Sequence, residues 1–538
     1  YGSIVITELG TRFQGFRGLN VNSESFAEGT WDPVNGLRLT IDSYDLELND
    51  SLKSALPPAA IRFWNDLRPS GTLEAVRSSI HAIPGRPIDF DFQLRHREGR
   101  NSVSVHPVWF PYEMKNVSAQ ISFQPNHFQI RSFKGQHRKS TLTLEGQGEY
   151  GPEGWECHLQ RMMFDRLVPD REFTSALPVS LGSTLDSFRV SGTINVGGRI
   201  SFRSQAMGRE SGQTKYGPIE TSWDLTADID QGFFRCGVDF EDIYGAVRLT
   251  GFAKGEEFES LGGIDIDSLV WNELQFRKIR SPIYVDNHVA LLGLWATSRK
   301  PDAQPQPLTA VLFGGRLAGN AQFSLHGNQP FEIQATLNAG DLEEFTFEMA
   351  PSYTDIQGRG FGGIRINGDN SGTHSLRGEG QVRLVDAKIS EVPVMLSMLK
   401  LLSVNQIDRT LFNESHADFR IKGEHLFFDN LEFLGDAISI KGNGEMNFDQ
   451  NLDLQFYTAV GRDGFRIPVI SPLMGMASQQ ILVIDVKGTT QQPVVEKNFF
   501  KMLNGKLKEN LEDLEDSIDR GGDRLIEAAE RPLQKWFR

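Results

Sequence analysis

The feature that most constrains this fold is the alternation of apolar and polar residues, which recurs along the whole 538-residue chain. Successive side chains of a β-strand point to opposite faces, so a strand with apolar residues at every second position has one apolar and one wet face. Glycine-containing turns separate many of the alternating stretches, which favours antiparallel hairpins. These stretches include Phe90, Phe92 and Leu94; Leu142 and Leu144; Ile194 and Val196; Phe331, Ile333, Ala335 and Leu337; Leu452, Leu454 and Phe456; and Leu482, Ile484 and Val486.

The composition agrees with a folded, strand-rich protein. The chain has 39% hydrophobic residues, 53 Gly, 37 Phe and only 2 Cys, which argues against disorder and against a disulfide-stapled fold. A net charge of -15 argues against a nucleic-acid partner, because phosphate binding needs a dense basic face. Cys157 and Cys236 could pair or stay free. The length predicts two to four domains or a repeating architecture.

Two segments match each other, "LPPAAIRFWNDLRPSGTLEA" from Leu56 and "LPVSLGSTLDSFRVSGTINV" from Leu177, at an offset of 177 minus 56, or 121 residues. In each, a Pro stands where a first helical turn tolerates it, and a Gly ends the predicted helix before a strand begins. The match predicts a module of one short helix and several strands, used twice.

The apolar run "ISEVPVMLSMLKLLSVNQI", from Ile389 to Ile407, interrupts the strand pattern. Pro393 begins a predicted helix of about a dozen residues, roughly 18 Å long, which is short of a ~30 Å hydrocarbon core. Apolar residues around its whole circumference favour a helix that closes one end of the sheet. The candidate closing residues are Val394, Leu396, Leu399 and Leu402.

No window of the chain reaches the ~18 to 20 apolar residues of a spanning helix. The chain opens in a strand-like stretch, "YGSIVITELG". We therefore expect it to be a piece of a longer protein whose membrane anchor would precede Tyr1.

The sequence shows no catalytic or metal-binding constellation. Ser397-x-x-Lys400 has the spacing of a penicillin-recognising nucleophile, but its partner motifs are missing. The glycine pattern at 358–363 leads into a strand, whereas a dinucleotide fingerprint needs a helix there. The histidines lack metal-ligand spacing. We predict no enzymatic activity, no metal and no cofactor.

Residues 311 to about 495 resemble the AsmA-like C-terminal region of Gram-negative envelope proteins. The resemblance rests on "LFGGRLAGNAQFSL", on "LRGEGQVRLVDAKISEVPVMLSMLKLL", on "FDNLEFLGDAISIKGNGEMNFDQNLDLQF" and on the closing "VKGTTQQP" from Val486 to Pro493. It implies an elongated, twisted antiparallel sheet that curls into a groove, with short inserted helices.

The internal repeat, the resemblance and the composition of the final segment together set the predicted domain organisation. Residues 1–175 form a first β-groove repeat with a helix near 57–68, and residues 176–300 form a second with a helix near 178–189. Residues 301–495 form the AsmA-like region with a helix near 393–405, and residues 496–538 form an amphipathic helical tail.

The function implied by the resemblance is phospholipid transport between the inner and outer membranes, or outer-membrane biogenesis more broadly. The protein would lie in the periplasm and bind phospholipid or another acyl lipid. Its other partners would be the inner membrane, through a segment outside this chain, and an outer-membrane protein. The candidate groove lining is Phe90, Phe92, Phe331, Ile333, Leu337, Phe448, Leu454 and Phe456.

The alternative function is a secreted or surface β-rich scaffold or adhesin that binds protein or glycan. The two differ in one structural feature, because a lipid carrier needs an apolar sheet face that is continuous and unfilled, whereas a scaffold has that face packed shut.

Overall fold

A computed structural model describes residues 2–501 of the chain, apart from residues 9, 21, 57, 100–101, 109, 178–181, 183–184, 187, 211–212, 236–237, 256, 272, 301–302, 350–356, 388–393, 396, 399–413, 436–437 and 461–479. The protein is mainly β, with 70% of residues in strands and 9% in helices, as the alternation predicted. Its strands form a long antiparallel sheet that is not a closed barrel.

The chain divides into two compact units. Unit 1 spans Tyr1–Gly340 and Gly363–Gly378, and unit 2 spans Asp341–Gly362 and the chain from Glu379 onwards.

The strands of unit 1 follow one another as a meander. They are β1 (Ser3–Thr7), β2 (Gly10–Asn20), β3 (Ser23–Asp32), β4 (Gly36–Glu47), β5 (Ser70–Ala82), β6 (Asp89–His96), β7 (Val103–Ser104), β8 (Lys115–Gln124), β9 (His127–His137), β10 (Ser140–Gly151), β11 (Gly154–Leu167), β12 (Ser191–Glu210), β13 (Gln213–Tyr216), β14 (Glu220–Arg235), β15 (Asp239–Lys254), β16 (Glu257–Trp271), β17 (Leu274–Asp286), β18 (Val289–Leu292), β19 (Leu308–Leu312), β20 (Gly315–Ser324) and β21 (Phe331–Asp341). Each strand pairs with the next, with two kinds of exception. Strands β7 and β13 are short and pair at the side of β5 and β12, and β18 and β19 do not pair with each other.

Strands β18 and β19 occupy a single position in the sheet, because both pair with β17 and with β20. The described residues between these two strands, 293–300 and 303–307, lie outside the strands of the sheet. A short helix among them, here called α4 (Leu294–Thr297), packs with Trp295 and Ala296 against Leu261, Tyr284 and Leu291.

The two segments that match in sequence also share local backbone structure. Helix α1 (Asp50–Ala55) is capped by Asn49 and helix α3 (Arg171–Ala176) by Asp170, which stands 170 minus 49, or 121, residues later. Helix α2 (Pro58–Leu67) follows α1, where the sequence predicted a helix. At the second predicted helix, near 178–189, the described residues 182, 185 and 186 are helical.

Unusual backbone angles also recur at this 121-residue offset. Arg68 and Arg189 have φ of 44° and 48°, and Gly71 and Gly192 have φ of 106° and 113°. A Cβ at Gly71 would lie 1.9 Å from the carbonyl oxygen of Ser102, and one at Gly192 would lie 2.7 Å from that of Gln231. At both positions a strand begins in close contact with the backbone of a neighbouring segment, and only glycine has room there and tolerates the positive φ.

Unit 2 contains helix α5 (Leu342–Met349) and an antiparallel run of strands. The remaining strands are β22 (Arg359–Gly368) and β23 (Arg377–Val385), followed by β24 (Glu414–Lys422), β25 (His425–Leu434), β26 (Ile438–Asn447), β27 (Asn451–Val460), β28 (Gln480–Thr489) and β29 (Pro493–Lys501); a 3₁₀ turn spans Thr373–Ser375. Strands β24 to β29 pair in chain order.

The last strand corrects the predicted start of the helical tail. Residues 496–501 belong to β29, where Glu496 pairs with Asp485 and Phe500 with Ile481. The run Val494, Val495, Phe499 and Phe500 is rich in β-branched and aromatic residues, which favour a strand when a partner edge is available. Residues 502–538, the rest of the predicted tail, lie outside the described residues.

Candidate functional site: an apolar groove in unit 1

One face of the unit 1 sheet is apolar from strand to strand. The register pairs Leu94 with Ile121 and carries this row across the sheet. The row continues through Ile130, Gly146, Leu159, Ile200, Trp223, Gly251, Ser260 and Val285. A parallel row contains Phe92, Phe123, Phe128, Gly148, Cys157 and Phe202. The face is therefore a continuous apolar track that runs across the strands.

The opposite face is polar at the same positions. Its row contains Gln93, Ser122, Gln129, Gln147, His158, Ser201 and Ser222. Because a shift of one residue would exchange the two faces, this register is strongly specified by the sequence.

We call the apolar side of β6 to β14 the acyl face. Phe128 and Leu159 on this face are buried. Most of its other large side chains are only half-buried, including Phe90, Phe92, Ile121, Ile130, Cys157, Ile200, Phe202, Trp223 and Leu225. From β8 to β14, the described residues of these apolar rows include no Asp, Glu, Lys or Arg. Six strand spacings of about 4.8 Å make this face roughly 29 Å long.

The sheet of unit 1 curls strongly between β14, where the acyl face ends, and β20. The rings of Phe234, near the end of β14, and Phe323, near the end of β20, have their centroids 5.9 Å apart. Five strand positions separate β14 from β20, so a flat sheet would hold these strands roughly 24 Å apart. The two residues also lie at opposite strand ends, because an odd number of antiparallel steps separates the strands. This part of unit 1 therefore curls and brings two opposite strand ends, its two rims, together, so that its apolar side forms a groove of the kind that the resemblance implied.

Glycines on the apolar face accommodate the large side chains beside them. A Cβ at Gly148 would lie 2.4 Å from the ring of Phe128, and one at Gly251 would lie 2.7 Å from the ring of Trp223. In each pair the aromatic ring lies over the glycine of the neighbouring strand and fills the space that a side chain there would occupy. The apolar surface is therefore even in height at these positions.

The polar atoms on this face are bonded within the protein. The indole N–H of Trp223 donates to Ser260 Oγ at 3.3 Å, and that hydroxyl donates to the carbonyl oxygen of Thr250 at 3.4 Å. Such internal satisfaction removes the need for water at these positions.

A cluster of aromatic rings covers the face at the strand ends where α1, α2 and α3 lie. Tyr112 packs against Phe110, Phe164 and Phe173 with ring centroids 5.7 to 5.9 Å apart. Tyr112 also stacks on His137 at 3.9 Å. Burial raises the pKa of Tyr112 to about 12. We call Phe110, Tyr112, Phe164 and Phe173 the aromatic plug.

One buried carboxylate adjoins the groove at the start of β5. Glu74 is 2% exposed and accepts from the Arg97 guanidinium, with Nη2 at 2.6 Å from Oε1. The bonds from Arg97 hold the pKa of Glu74 below its usual range, against the opposing effect of burial. Glu74 is thus an ionised partner of Arg97 that holds the chain beyond β6.

Cys157 has a free thiol on the acyl face, paired in register between Gly148 and Phe202. Burial raises its pKa to about 11. Of the two alternatives left by the sequence, the unpaired state is the one adopted by Cys157. Cys236 lies outside the described residues.

The corresponding apolar face of unit 2 is filled. Ile440, Phe456, Ile484 and Val486 are buried under Met395 and Met398, and Val394 packs against the same cluster. Residues 394, 395, 397 and 398 are helical, so the described part of the predicted closing helix does cover a sheet face. Leu396, Leu399 and Leu402 lie outside the described residues.

The structure places the predicted lining residues in different environments. Phe90 and Phe92 lie on the acyl face and stack at 4.9 Å. Ile333 and Leu337 are half-buried on β21, where Phe331 is buried. Leu454 and Phe456 belong to the filled core of unit 2, and Phe448 lies in the turn after β26 with 44% of its surface exposed. Their roles in lipid binding stay predictions.

The sequence reading missed most of the half-buried residues in the middle of the acyl face. Ile200, Phe202, Trp223 and Leu225 alternate with polar residues in "GGRISFRS" and "ETSWDLTA". The alternation of apolar and polar residues in these two stretches is the signal that predicts them.

Among the described residues, one group could place three ligand atoms around a metal ion: His137, Asp170 and Glu172, whose atoms lie within 4.8 Å of one another. Arg138 already pairs with both carboxylates, and Asp170 also caps α3. These carboxylates therefore already belong to an ion-pair network that fixes α3 over the sheet. A metal cation bound there would have to compete with the Arg138 guanidinium.

Comparisons with protein-family models, with curated proteins and with solved structures give no match for this chain. None of the helices in the described part of the chain is long and apolar enough to cross a membrane.

Proposed function

We propose that this protein binds acyl lipid in the groove of unit 1 and carries phospholipid between the two membranes of a Gram-negative envelope. The observation that supports the proposal most strongly is the acyl face, which is continuous in register, largely half-buried, and leads at β14 into the curled part of the sheet. An extended apolar surface that is not fully covered by the protein marks a site of interaction, and an apolar ligand would cover it.

The energetics favour a lipid chain as that ligand. Burial of one CH₂ group stabilises by ~0.8 kcal/mol, so an acyl chain gains enough to leave water. Because the levelled face lacks strongly directional groups, a chain bound there gains little from any one position over the next. These properties suit sliding transport better than a fixed binding pocket, which has a few polar groups that orient its ligand.

The proposal includes a periplasmic location and an inner-membrane anchor outside this chain, both of which rest on the AsmA-like resemblance. The scaffold or adhesin alternative requires a filled face. Unit 2 has such a face, but the half-buried side chains of the acyl face in unit 1 favour a ligand there.

The test measures lipid that co-purifies with the full chain without detergent, by mass spectrometry, and uptake of a fluorescent fatty acid. We expect phospholipid in the preparation and saturable uptake. The variant Leu225→Glu places a charge on the acyl face and should lower uptake at least tenfold. Phe331 and Phe456 are unsuitable for such charges, because both are buried and their loss would unfold the protein.

The matched control is Ser222→Glu, on the same strand but on the polar face. It should fold and take up the probe like the unsubstituted protein. Absence of co-purifying lipid together with absence of uptake would refute the proposal, as would equal uptake by the two folded variants.

A further inference from the structure

The groove of unit 1 is crossed by a contact between its two rims. Phe234 and Phe323 meet edge to face, with an interplanar angle of 89°. Each ring is supported on its own rim, since Phe234 lies 4.9 Å from Phe188 and Phe323 lies 6.4 Å from Phe331. Phe188 and Phe331 are buried.

The two rings that meet are themselves only half-buried. The chain around Phe188 is held from the same side, because the N–H of Arg235 donates to the carbonyl oxygen of Phe188 at 2.8 Å. The buried rings thus act as fixed supports, and Phe234 and Phe323 form the junction between them.

The groove changes character beneath this junction. Ile266, Ile279 and Ala310, on β16, β17 and β19, are buried in a packed cluster, whereas most side chains of the acyl face from β6 to β14 are only half-buried. The rim contact therefore lies between the two ends of a continuous apolar track, at the point where the track becomes filled.

We propose that the contact between Phe234 and Phe323 closes the mouth of the groove at β14, and that a phospholipid whose head group projects from the mouth must separate these two rings to move past β14. This inference rests on the proposed lipid-binding function and adds to it the residues that limit passage. A single edge-to-face pair is a weak interaction, so thermal motion can part it without unfolding either rim.

The experiment cross-links the two rims chemically at the positions of Phe234 and Phe323. Phe234→Cys and Phe323→Cys are combined in a chain that also carries Cys157→Ser and Cys236→Ser, and a short bis-maleimide joins the new thiols. Fatty-acid binding at equilibrium and transfer of a fluorescent phospholipid between donor and acceptor vesicles are measured before and after cross-linking. The control pair is Phe240→Cys with Trp271→Cys, whose residues face each other on neighbouring strands with rings 6.1 Å apart.

We expect cross-linked rims to retain fatty-acid binding but to transfer phospholipid at least tenfold more slowly, while the cross-linked control keeps its rate. Failure of the rim pair to cross-link, or equal transfer before and after cross-linking with binding intact, would overturn the closed mouth and leave the lipid-binding proposal standing. Absence of fatty-acid binding in every variant would instead refute the proposed function, and the closed mouth with it.

Discussion

At the residue scale, glycines on the acyl face leave room for aromatic rings of the paired strands. Substitution of Gly148 tests how much this arrangement contributes to stability. An alanine there would place its Cβ 2.4 Å from both the Phe128 ring and the carbonyl oxygen of Glu156. Because neither neighbour can move freely in a paired sheet, we expect Gly148→Ala to lower the free energy of unfolding by about 1 to 3 kcal/mol in urea titrations. Gly151→Ala, at the end of the same strand with nothing within 4 Å, is the control and should be close to neutral.

Cys157 is a natural reporter of the same face. A pKa of about 11 leaves very little thiolate at neutral pH, and the thiolate is the reactive form. In a Cys236→Ser chain, we expect modification by a maleimide at pH 7 to be on the order of a hundredfold slower than for an ordinary thiol of pKa ~8.5. The rate should rise about tenfold per pH unit towards pH 10, and bound fatty acid should slow it further. A rate equal to that of a free cysteine would place Cys157 outside an apolar environment.

At the element scale, the repeat depends on two helix caps. Asn49 Oδ1 accepts from the N–H of Leu52 at 3.1 Å, and Asp170 Oδ1 accepts from the N–H of Phe173 at 2.9 Å. We expect Asn49→Ala to lower the free energy of unfolding by about 1 kcal/mol, measured by urea titration. Asp170→Ala should lower it by at least as much, because this substitution also removes the ion pair with Arg138. Ser51→Ala, at an exposed position in α1, is the control. Equal stability of the cap variants and this control would show that the two helices need no capping.

The element scale also separates what the sequence could predict from what it could not. Alternation located the strands around Phe92, Leu144, Ile333 and Phe456, because a period of two is imposed locally by the geometry of a strand. Helices α1 and α3 were missed, since each has only six residues and its caps are single polar side chains. The contact between Phe234 and Phe323 depends on curvature summed over five strand positions, which no local pattern contains.

At the scale of the whole molecule, units 1 and 2 use the same strand pattern with opposite outcomes. Both have an apolar sheet face, but in unit 2 Met395 and Met398 bury it, whereas in unit 1 the aromatic plug covers only one end. The alternation predicts an apolar face in either unit. Whether that face is covered by other side chains depends on segments outside the strands. The sequence could therefore predict that an apolar sheet face exists, but not in which unit it stays open.

Paired substitutions in the two units distinguish a structural core from a binding face. Met398 is fully buried, so Met398→Ala leaves a cavity and should lower the free energy of unfolding of unit 2 by about 2 to 5 kcal/mol. It should leave fatty-acid uptake unchanged at temperatures where the protein stays folded.

The matching variant in unit 1 is Leu225→Ala, which removes a half-buried side chain from the acyl face. It should lower the free energy of unfolding less than Met398→Ala does, yet weaken fatty-acid uptake, because it removes contacts with the ligand and few contacts with a core. Calorimetry and fluorescence binding on the same preparations check both effects. Weaker uptake in Met398→Ala than in Leu225→Ala would place the lipid site in unit 2 and contradict the assignment to unit 1.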